Sequence, residues 1–137
     1  VGNPGPGGWA AIILLQNDKK ELFGGEKLTT NNRMELTAAI KGLEYCKLQE
    51  GKQLSLKEIK LYTDSVYLKD GITNWISKWE KNNWKTSDKK NVKNIDLWKK
   101  LKDLVKSKQI EWCWIKGHSG DSMNDLADKL AKEATPI

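Results

Sequence analysis

The sequence predicts an α/β fold with a mixed sheet, and three observations lead there. Two short apolar runs near the start are separated by polar, turn-forming residues, the patterning of an antiparallel pair. A helical period then runs through Leu36, Ala39, Ile40, Leu43 and Cys46, followed by a short alternating strand at residues 59–65. A strand, helix, strand succession implies parallel pairing through a right-handed crossover. The strand ends at Asp64, where a helix should begin, and ligands of α/β proteins bind beyond the carboxyl ends of strands. Taken alone, Asp64 reads more readily as an ordinary helix cap.

Taken in order, residues 2–8 are turn chemistry and residues 9–15 form an apolar strand. The glycine-rich start lacks a phosphate-loop lysine and a complete dinucleotide fingerprint, so a plain turn is the default reading. Residues 16–20 make the reversal, and residues 21–28 read as a second strand with Gly24-Gly25 marking a bulge or a close backbone approach. The first long helix spans about residues 32–51, with Asn32 as its cap and Glu35 as a capping-box partner. Beyond Asp64 a helix over residues 65–70 breaks at Gly71, and a second carries Ile72, Trp75, Ile76 and Trp79 at helical spacing.

Asn94 is expected to cap a helix whose stripe is Leu97, Trp98, Leu101, Leu104 and Val105. Residues 109–115 are the last strand, apolar on both faces and therefore internal. A loop over residues 116–120 carries His118, the one histidine. In the terminal helix Leu126 and Leu130 face the core, whereas Asn124 and Asp128 share another face. The bland roles are an ion pair of Asp128 with Lys132 and a polar loop residue at His118.

The 137 residues suit one domain with a single core. Hydrophobic residues at 38% and a mean hydropathy of −0.68 describe a soluble globular protein without a membrane span or visible secretory signal. Cys46 and Cys113 occupy expected core positions without a metal-binding spacing, which fits reduced thiols and a cytoplasmic location. A net charge of +6 favours a polyanionic partner. The charge is local, because Lys78, Lys81, Lys85, Lys89, Lys90 and Lys93 interleave with Trp79 and Trp84. Cations mixed with aromatic faces suit phosphates, sugars and bases, although the rings also read as core.

Each acid separately favours its bland role, but their ordered company does not. The set Asn31-Asn32-Arg33-Met34-Glu35-Leu36, Tyr62-Thr63-Asp64-Ser65 and Lys116-Gly117-His118-Ser119-Gly120, followed by Asn124 and Asp128, closely resembles type 1 ribonuclease H. The resemblance covers the whole chain, residues 1–137, and residues 75–98 look like the basic protrusion of the bacterial-like form. It implies the ribonuclease H-like fold, with five strands in a mixed sheet flanked by helices. It also implies endonucleolytic hydrolysis of the RNA strand of RNA–DNA hybrids, leaving 5′-phosphate and 3′-hydroxyl ends. Two Mg²⁺ ions per site, with Mn²⁺ as a substitute, would be held by Glu35, Asp64 and Asp128. His118 would assist proton handling or product release.

By the same resemblance Asn3, Thr30, Asn31, Asn32 and Asn124 fall where the family meets its substrate, Thr30 at a DNA phosphate. Trp75, Trp79, Trp84, Lys85, Lys89 and Lys90 would complete the substrate surface, with Trp75 the expected stacking ring under deoxy sugars. No stable protein partner is implied, and a monomer is expected. One departure bears on activity. The family's first catalytic Asp, on a central first strand, falls four positions before the equivalent of Val1, so that strand is expected to be missing here. The alternatives are therefore an inactive hybrid-binding module or, further off, an integrase or transposase relative.

Overall fold

The computed structural model describes residues 4–15, 18–50, 59–63, 65–86, 88–105, 110–114 and 122–136. Strand β1, Gly5–Leu15, pairs antiparallel with β2, Asp18–Thr29. Both strands run further than their apolar patterns suggest, because the ladder continues through Lys19 and Lys20 toward the reversal. The irregularity expected at Gly24-Gly25 lies instead between Gly5 and Gly7. Those two glycines serve close approach: a Cβ on Gly24 would sit 2.7 Å from the Trp9 indole, and one on Gly25 would sit 2.1 Å from the Ala134 carbonyl oxygen.

Helix α1, Asn31–Glu50, follows directly, and after it comes strand β3, Ile59–Thr63. The next three segments are continuous: α2 at Val66–Asp70, a π-helical turn at Gly71–Trp75, and α3 at Ile76–Lys81. Helix α4 spans Ile95–Val105, strand β4 Ile110–Trp114 and helix α5 Ser122–Ala134. Strand β4 pairs with β3 in parallel register, as the crossover argument requires. Among the described residues the strands make two separate two-stranded sheets, β1 with β2 and β3 with β4. The expectation that β4 is internal is thus not met within them, since its one hydrogen-bonded neighbour there is β3.

Successive residues of β1 show which helix covers which face. A Cβ on Gly7 would point at Thr29 and Met34, whereas one on Gly8 would point at the backbone of Ala131. Side chains alternate across a strand, so α1 and α5 pack on opposite faces of the β1–β2 pair. The core lies on the α1 side, where Leu36, Ile40, Leu43, Leu68, Ile76, Trp98 and Leu101 are buried in one cluster. Leu61, Ile110 and Trp112 of the second sheet pack against the same cluster. The α1 stripe is therefore buried as its period predicts, and in α4 Trp98 and Leu101 are buried while Leu97, Leu104 and Val105 are partly buried against them.

Gly71 does not break its helix. It keeps right-handed helical angles and its carbonyl accepts from the Ile76 N–H, five residues on. Eight residues of α-helix overshoot two turns by roughly 80°, and a π turn absorbs about one residue of rotation, which brings Leu68 and Ile76 onto one face. Both are buried in the same cluster. Glycine is needed at position 71 for space: a Cβ there would lie 2.0 Å from Cη2 of the fully buried Trp98.

Gly71→Ala should accordingly cost about 1–3 kcal/mol through overpacking. Gly42→Ala, in α1 with its nearest neighbour at 3.6 Å, should be neutral or stabilise by up to about 1 kcal/mol. Urea unfolding of the two variants checks the contrast, and equal effects would contradict the packing at Gly71.

Candidate functional site

The start of α1 differs from the expected cap in a way that matters for Glu35. Thr30 Oγ1 accepts from the Arg33 N–H at 3.2 Å, so Thr30 is the cap and Asn32 lies inside the helix. Glu35 therefore falls beyond the first turn, and the capping box proposed for Asn32 and Glu35 does not describe this helix. Asn31 and Asn32 are exposed at the helix start, while Glu35 is half-buried. Asp128 is half-buried in α5. The two acids thus come from helices on opposite faces of the first sheet. Asn3, Asp64 and His118 lie outside the described residues, as does the side chain of Asn124. Among the described residues no three His, Cys, Asp or Glu side chains gather as a metal site.

The aromatic residues of the protrusion are brought together. Trp75 and Trp79 have ring centroids 5.8 Å apart, and Trp79 and Trp84 are 6.1 Å apart, both pairs tilted. Trp79 also meets Trp98 edge-on at 5.5 Å, and Tyr67 lies 5.6 Å from Trp75. Tyr67, Trp75, Trp79 and Trp84 are half-buried and packed against the core, which includes the fully buried Trp98, so the core reading and the surface reading both apply to them. Lys99 Nζ sits 5.5 Å from the Trp84 ring centroid, a cation over that ring.

A left-handed turn at Asn83 and Trp84 reverses the chain after α3. A left-handed conformation is costly for so bulky a residue as Trp84, by about 1–2 kcal/mol. Hydrogen bonds hold it: Asn82 Nδ2 donates to the carbonyls of Lys85 and Thr86, and the Trp84 N–H donates to Trp79 O. A bridge between Lys85 and Asn91 then closes a small hairpin. Lys85, Lys89 and Lys90 are all exposed on it. Lys90 Nζ lies 3.8 Å from Asp88, and the Lys85 ammonium bonds Asn91 Oδ1.

Between this hairpin and the start of α1 runs an open cleft of about 370 Å³, with Asn32, Tyr67, Trp79, Lys90, Lys93 and Asn94 among its walls. Two of these residues, Tyr67 and Asn94, belong to a chain of polar contacts that joins distant segments. Arg33 donates twice to the Asp96 carboxylate, at 3.0 and 2.8 Å, and once to Asn94 Oδ1 at 3.1 Å. Asn94 Nδ2 donates to Tyr67 Oη at 3.0 Å, and Trp98 Nε1 donates to the same oxygen at 3.1 Å. Asn94 thus does not cap α4 with its side chain as expected. It adopts a left-handed backbone, and its carbonyl accepts from the N–H groups of Leu97 and Trp98. Its amide reaches across to α1 and α2 instead.

The Arg33 hydrogen bonds hold the Asp96 carboxyl below the usual carboxylate range, and the same bonds raise Arg33 above the ordinary guanidinium value. Both groups are substantially exposed, so solvent screens the pair and its role is chiefly geometric.

A profile of the RNase H family matches residues 1–135. The chain belongs to the ribonuclease H family. A Ribonuclease H of Wolbachia sp. subsp. Drosophila simulans (strain wRi) is 54% identical over 133 residues, covering 97% of this chain and 87% of that protein. The Ribonuclease H of Dechloromonas aromatica (strain RCB) is 57% identical over 130 residues, or 95% and 83% of the two chains. Among solved structures, LC9-RNase H1, a type 1 RNase H with the type 2 active-site motif, superposes with a TM-score of 0.73 at 25% identity. That match covers 98% of this chain and 73% of the other. LC11-RNase H1, solved in complex with RNA/DNA hybrid, gives a TM-score of 0.72 at 22% identity over 98% and 88% of the two chains. The ribonuclease H-like fold is therefore the fold of this chain, and its curated relatives are enzymes of that name.

Arg33, Tyr67 and Asp96 were not singled out by the sequence. Their partners lie 27 to 63 residues away, and no local pattern announces contacts at that range. Asn94 was noticed, but as a cap.

The Arg33–Asp96 pair generates a pH dependence with a definite sign. Asp96 titrates below its ordinary 3.8 in the folded protein, so its contribution to stability is full above that value and is lost as pH falls through the depressed one. Asp96→Asn should flatten that part of the acid unfolding profile without changing stability slopes near neutrality. Thermal unfolding followed across acidic pH measures it.

Proposed function

We propose that this chain is a ribonuclease H domain, spanning residues 1–137, that hydrolyses the RNA strand of RNA–DNA hybrids by endonucleolytic attack. The observation that carries this reading is the family match over residues 1–135 together with the acids Glu35, Asp64 and Asp128 standing in the family's order. The intended products carry 5′-phosphate and 3′-hydroxyl ends.

Glu35, Asp64 and Asp128 would hold divalent cations, two Mg²⁺ ions or Mn²⁺ in their place. The donor set fits such ions chemically, since hard cations take carboxylate oxygen and the set contains no thiolate. When bound, the ions supply the charge that activates a water molecule and stabilises the leaving oxygen. The chain's own residues then have separable tasks. Glu35, beyond the cap of α1, and Asp128, from α5, bring carboxylates from two different helices. His118 carries a proton at the reacting oxygens or eases product departure.

Substrate recognition is assigned to the start of α1 and to the protrusion. Thr30 already accepts the Arg33 N–H, which leaves its hydroxyl proton to donate to a phosphate. Asn3, Asn31 and Asn32 supply polar contacts to the minor groove, where ribose is told from deoxyribose, and Asn124 is a further substrate contact. Trp75 and Trp79 offer ring surface to sugars, and Lys85, Lys89 and Lys90 offer charge to phosphates. Trp84, with Lys99 over its ring, contributes a cation beside an aromatic. The protein works as a monomer in the cytoplasm.

A labelled hybrid incubated with Mg²⁺ tests the chemistry. Asp64→Asn, Glu35→Gln and Asp128→Asn should each reduce cleavage by about a hundredfold or more while leaving binding intact, in keeping with the loss of several kcal/mol of transition-state stabilisation. Salt-dependent binding with no product at any metal concentration would instead identify a binding module. His118→Ala should slow turnover without abolishing it.

Neutralising Lys85, Lys89 and Lys90 together should weaken hybrid binding and lower the logarithmic salt slope by about 2 to 3 with kcat unchanged. An unchanged slope would remove the protrusion from the substrate surface.

A further inference from the structure

Gly7 and Gly8 are consecutive in β1, and each is in close contact with a different helix. A Cβ on Gly8 would lie 1.9 Å from the Ala131 carbonyl oxygen and 2.7 Å from Thr135 Oγ1, so α5 rests on strand backbone there. On the other face a Cβ on Gly7 would lie 2.7 Å from Thr29 Cγ2 and 3.1 Å from Met34 Cγ. Met34 directly precedes Glu35 in α1. Ala131 lies three residues beyond Asp128 in α5, on the same side of that helix and roughly 4.5 Å along its axis. Each acid thus belongs to the helical turn that meets this dipeptide.

Neither glycine adopts a left-handed backbone, so space is what each position requires. Glu35 and Asp128 come from opposite faces of the β1–β2 pair, and any side chain at position 7 or 8 would push one of their helices outward. Two ions sharing a site lie about 3.5–4 Å apart, so the carboxylates that hold them tolerate little spread. Mg²⁺ also demands near-octahedral geometry with ligands at about 2.0–2.1 Å, whereas Ca²⁺ accepts longer and looser sets. Gly25, the cross-strand partner of Gly8, meets α5 in the same manner, its Cβ falling 2.1 Å from the Ala134 carbonyl oxygen. That contact is roughly 9 Å along the helix from Asp128.

We propose that Gly7 and Gly8 are positioning residues, a spacer of minimum thickness that sets the separation of the Glu35 and Asp128 carboxylates for a small divalent cation. The inference rests on the metal-binding reading of those acids and adds to it the element that brings two helices within reach of one site. Gly8 has the stricter part, because helix backbone cannot turn aside. The Ala131 carbonyl would have to retreat by more than about 1 Å to regain an ordinary C···O contact. Gly7 meets side chains, of which that of Met34 is flexible.

The test is calorimetric titration of the full chain, free of nucleic acid, with Mg²⁺ and separately with Ca²⁺. Gly8→Ala should raise the Kd for Mg²⁺ about tenfold, the scale of a disturbed supporting residue at a metal site, and the Kd for Ca²⁺ by no more than about threefold. Gly25→Ala, an equally tight contact on the same helix, should leave both within about twofold. Asp128→Glu lengthens the carboxylate arm by one methylene. It should weaken Mg²⁺ binding in the wild type and restore most of the loss in Gly8→Ala, a coupling that a merely structural glycine does not produce. Should Gly8→Ala fail to fold, Gly7→Ala carries the test, with an expected rise of about threefold for Mg²⁺ and none for Ca²⁺.

Equal losses in Gly8→Ala and Gly25→Ala would overturn the proposal, as would Asp128→Glu losses that simply add in both backgrounds, or unchanged Mg²⁺ binding in Gly7→Ala where Gly8→Ala does not fold. A wild type that binds neither ion, or whose binding survives Asp128→Asn unchanged, would overturn the metal-binding reading itself and the spacer role with it.

Discussion

The burial of Trp98 is the constraint on which the rest of the described structure depends. Its ring is fully buried and occupies the space that any side chain at position 71 would need. Its face and edge meet Tyr67 and Trp79, and its indole N–H holds the Tyr67 hydroxyl. An indole buried with its N–H satisfied combines a large apolar area with a directional bond, so it fixes orientation as well as distance. The helical stretch after Asp64 can therefore approach α4 only through a glycine. The π turn that begins at that glycine then returns Ile76 to the core and sets Trp75 and Trp79 in their row.

From this anchor the candidate substrate surface is built outward in two directions. One runs along the aromatic row from Trp75 through Trp79 to Trp84, where a left-handed turn launches the lysine-bearing hairpin. The other runs through Tyr67 and Asn94 to Arg33, at the start of the helix that carries Glu35. Packing in the interior and polar bonding in the cleft thus meet at Tyr67. The candidate substrate surface is braced on this account because its rings are partly core, which would lower the entropy lost when a ligand is ordered against it.

Much of the fold was legible in advance, for a physical reason. The stripes of α1 and α4 follow from burial on one face, and burial leaves its period in the chain. The expected interruptions fared differently. Gly71 reads as a break because glycine weakens a helix, yet here the missing side chain makes room for Trp98. Asn94 reads as a cap because its short amide commonly caps, yet the amide is drawn to Arg33 and Tyr67. Asn32 reads as a cap for the same reason, but Thr30 reaches the Arg33 N–H first and Glu35 moves out of the first turn. At Gly71 and Asn94 a residue type compatible with two local roles was settled by a neighbour far away in sequence, and at Asn32 by a competing cap two residues before it.

By itself the sequence determined the order and kind of the secondary elements, the buried stripes, the locally basic, tryptophan-rich protrusion and the family to which its acids belong. Those properties depend on spacing and composition, which are local and survive without a partner. The tertiary structure decided the use of the residues between the motifs. It made Gly71 a point of contact, turned Asn94 from a cap into a bridge, placed Arg33 between two helices and tied the Tyr67 hydroxyl to Asn94 and Trp98. Donor and acceptor roles are assigned only when both partners are present, and these partners are brought together by the packing around Trp98.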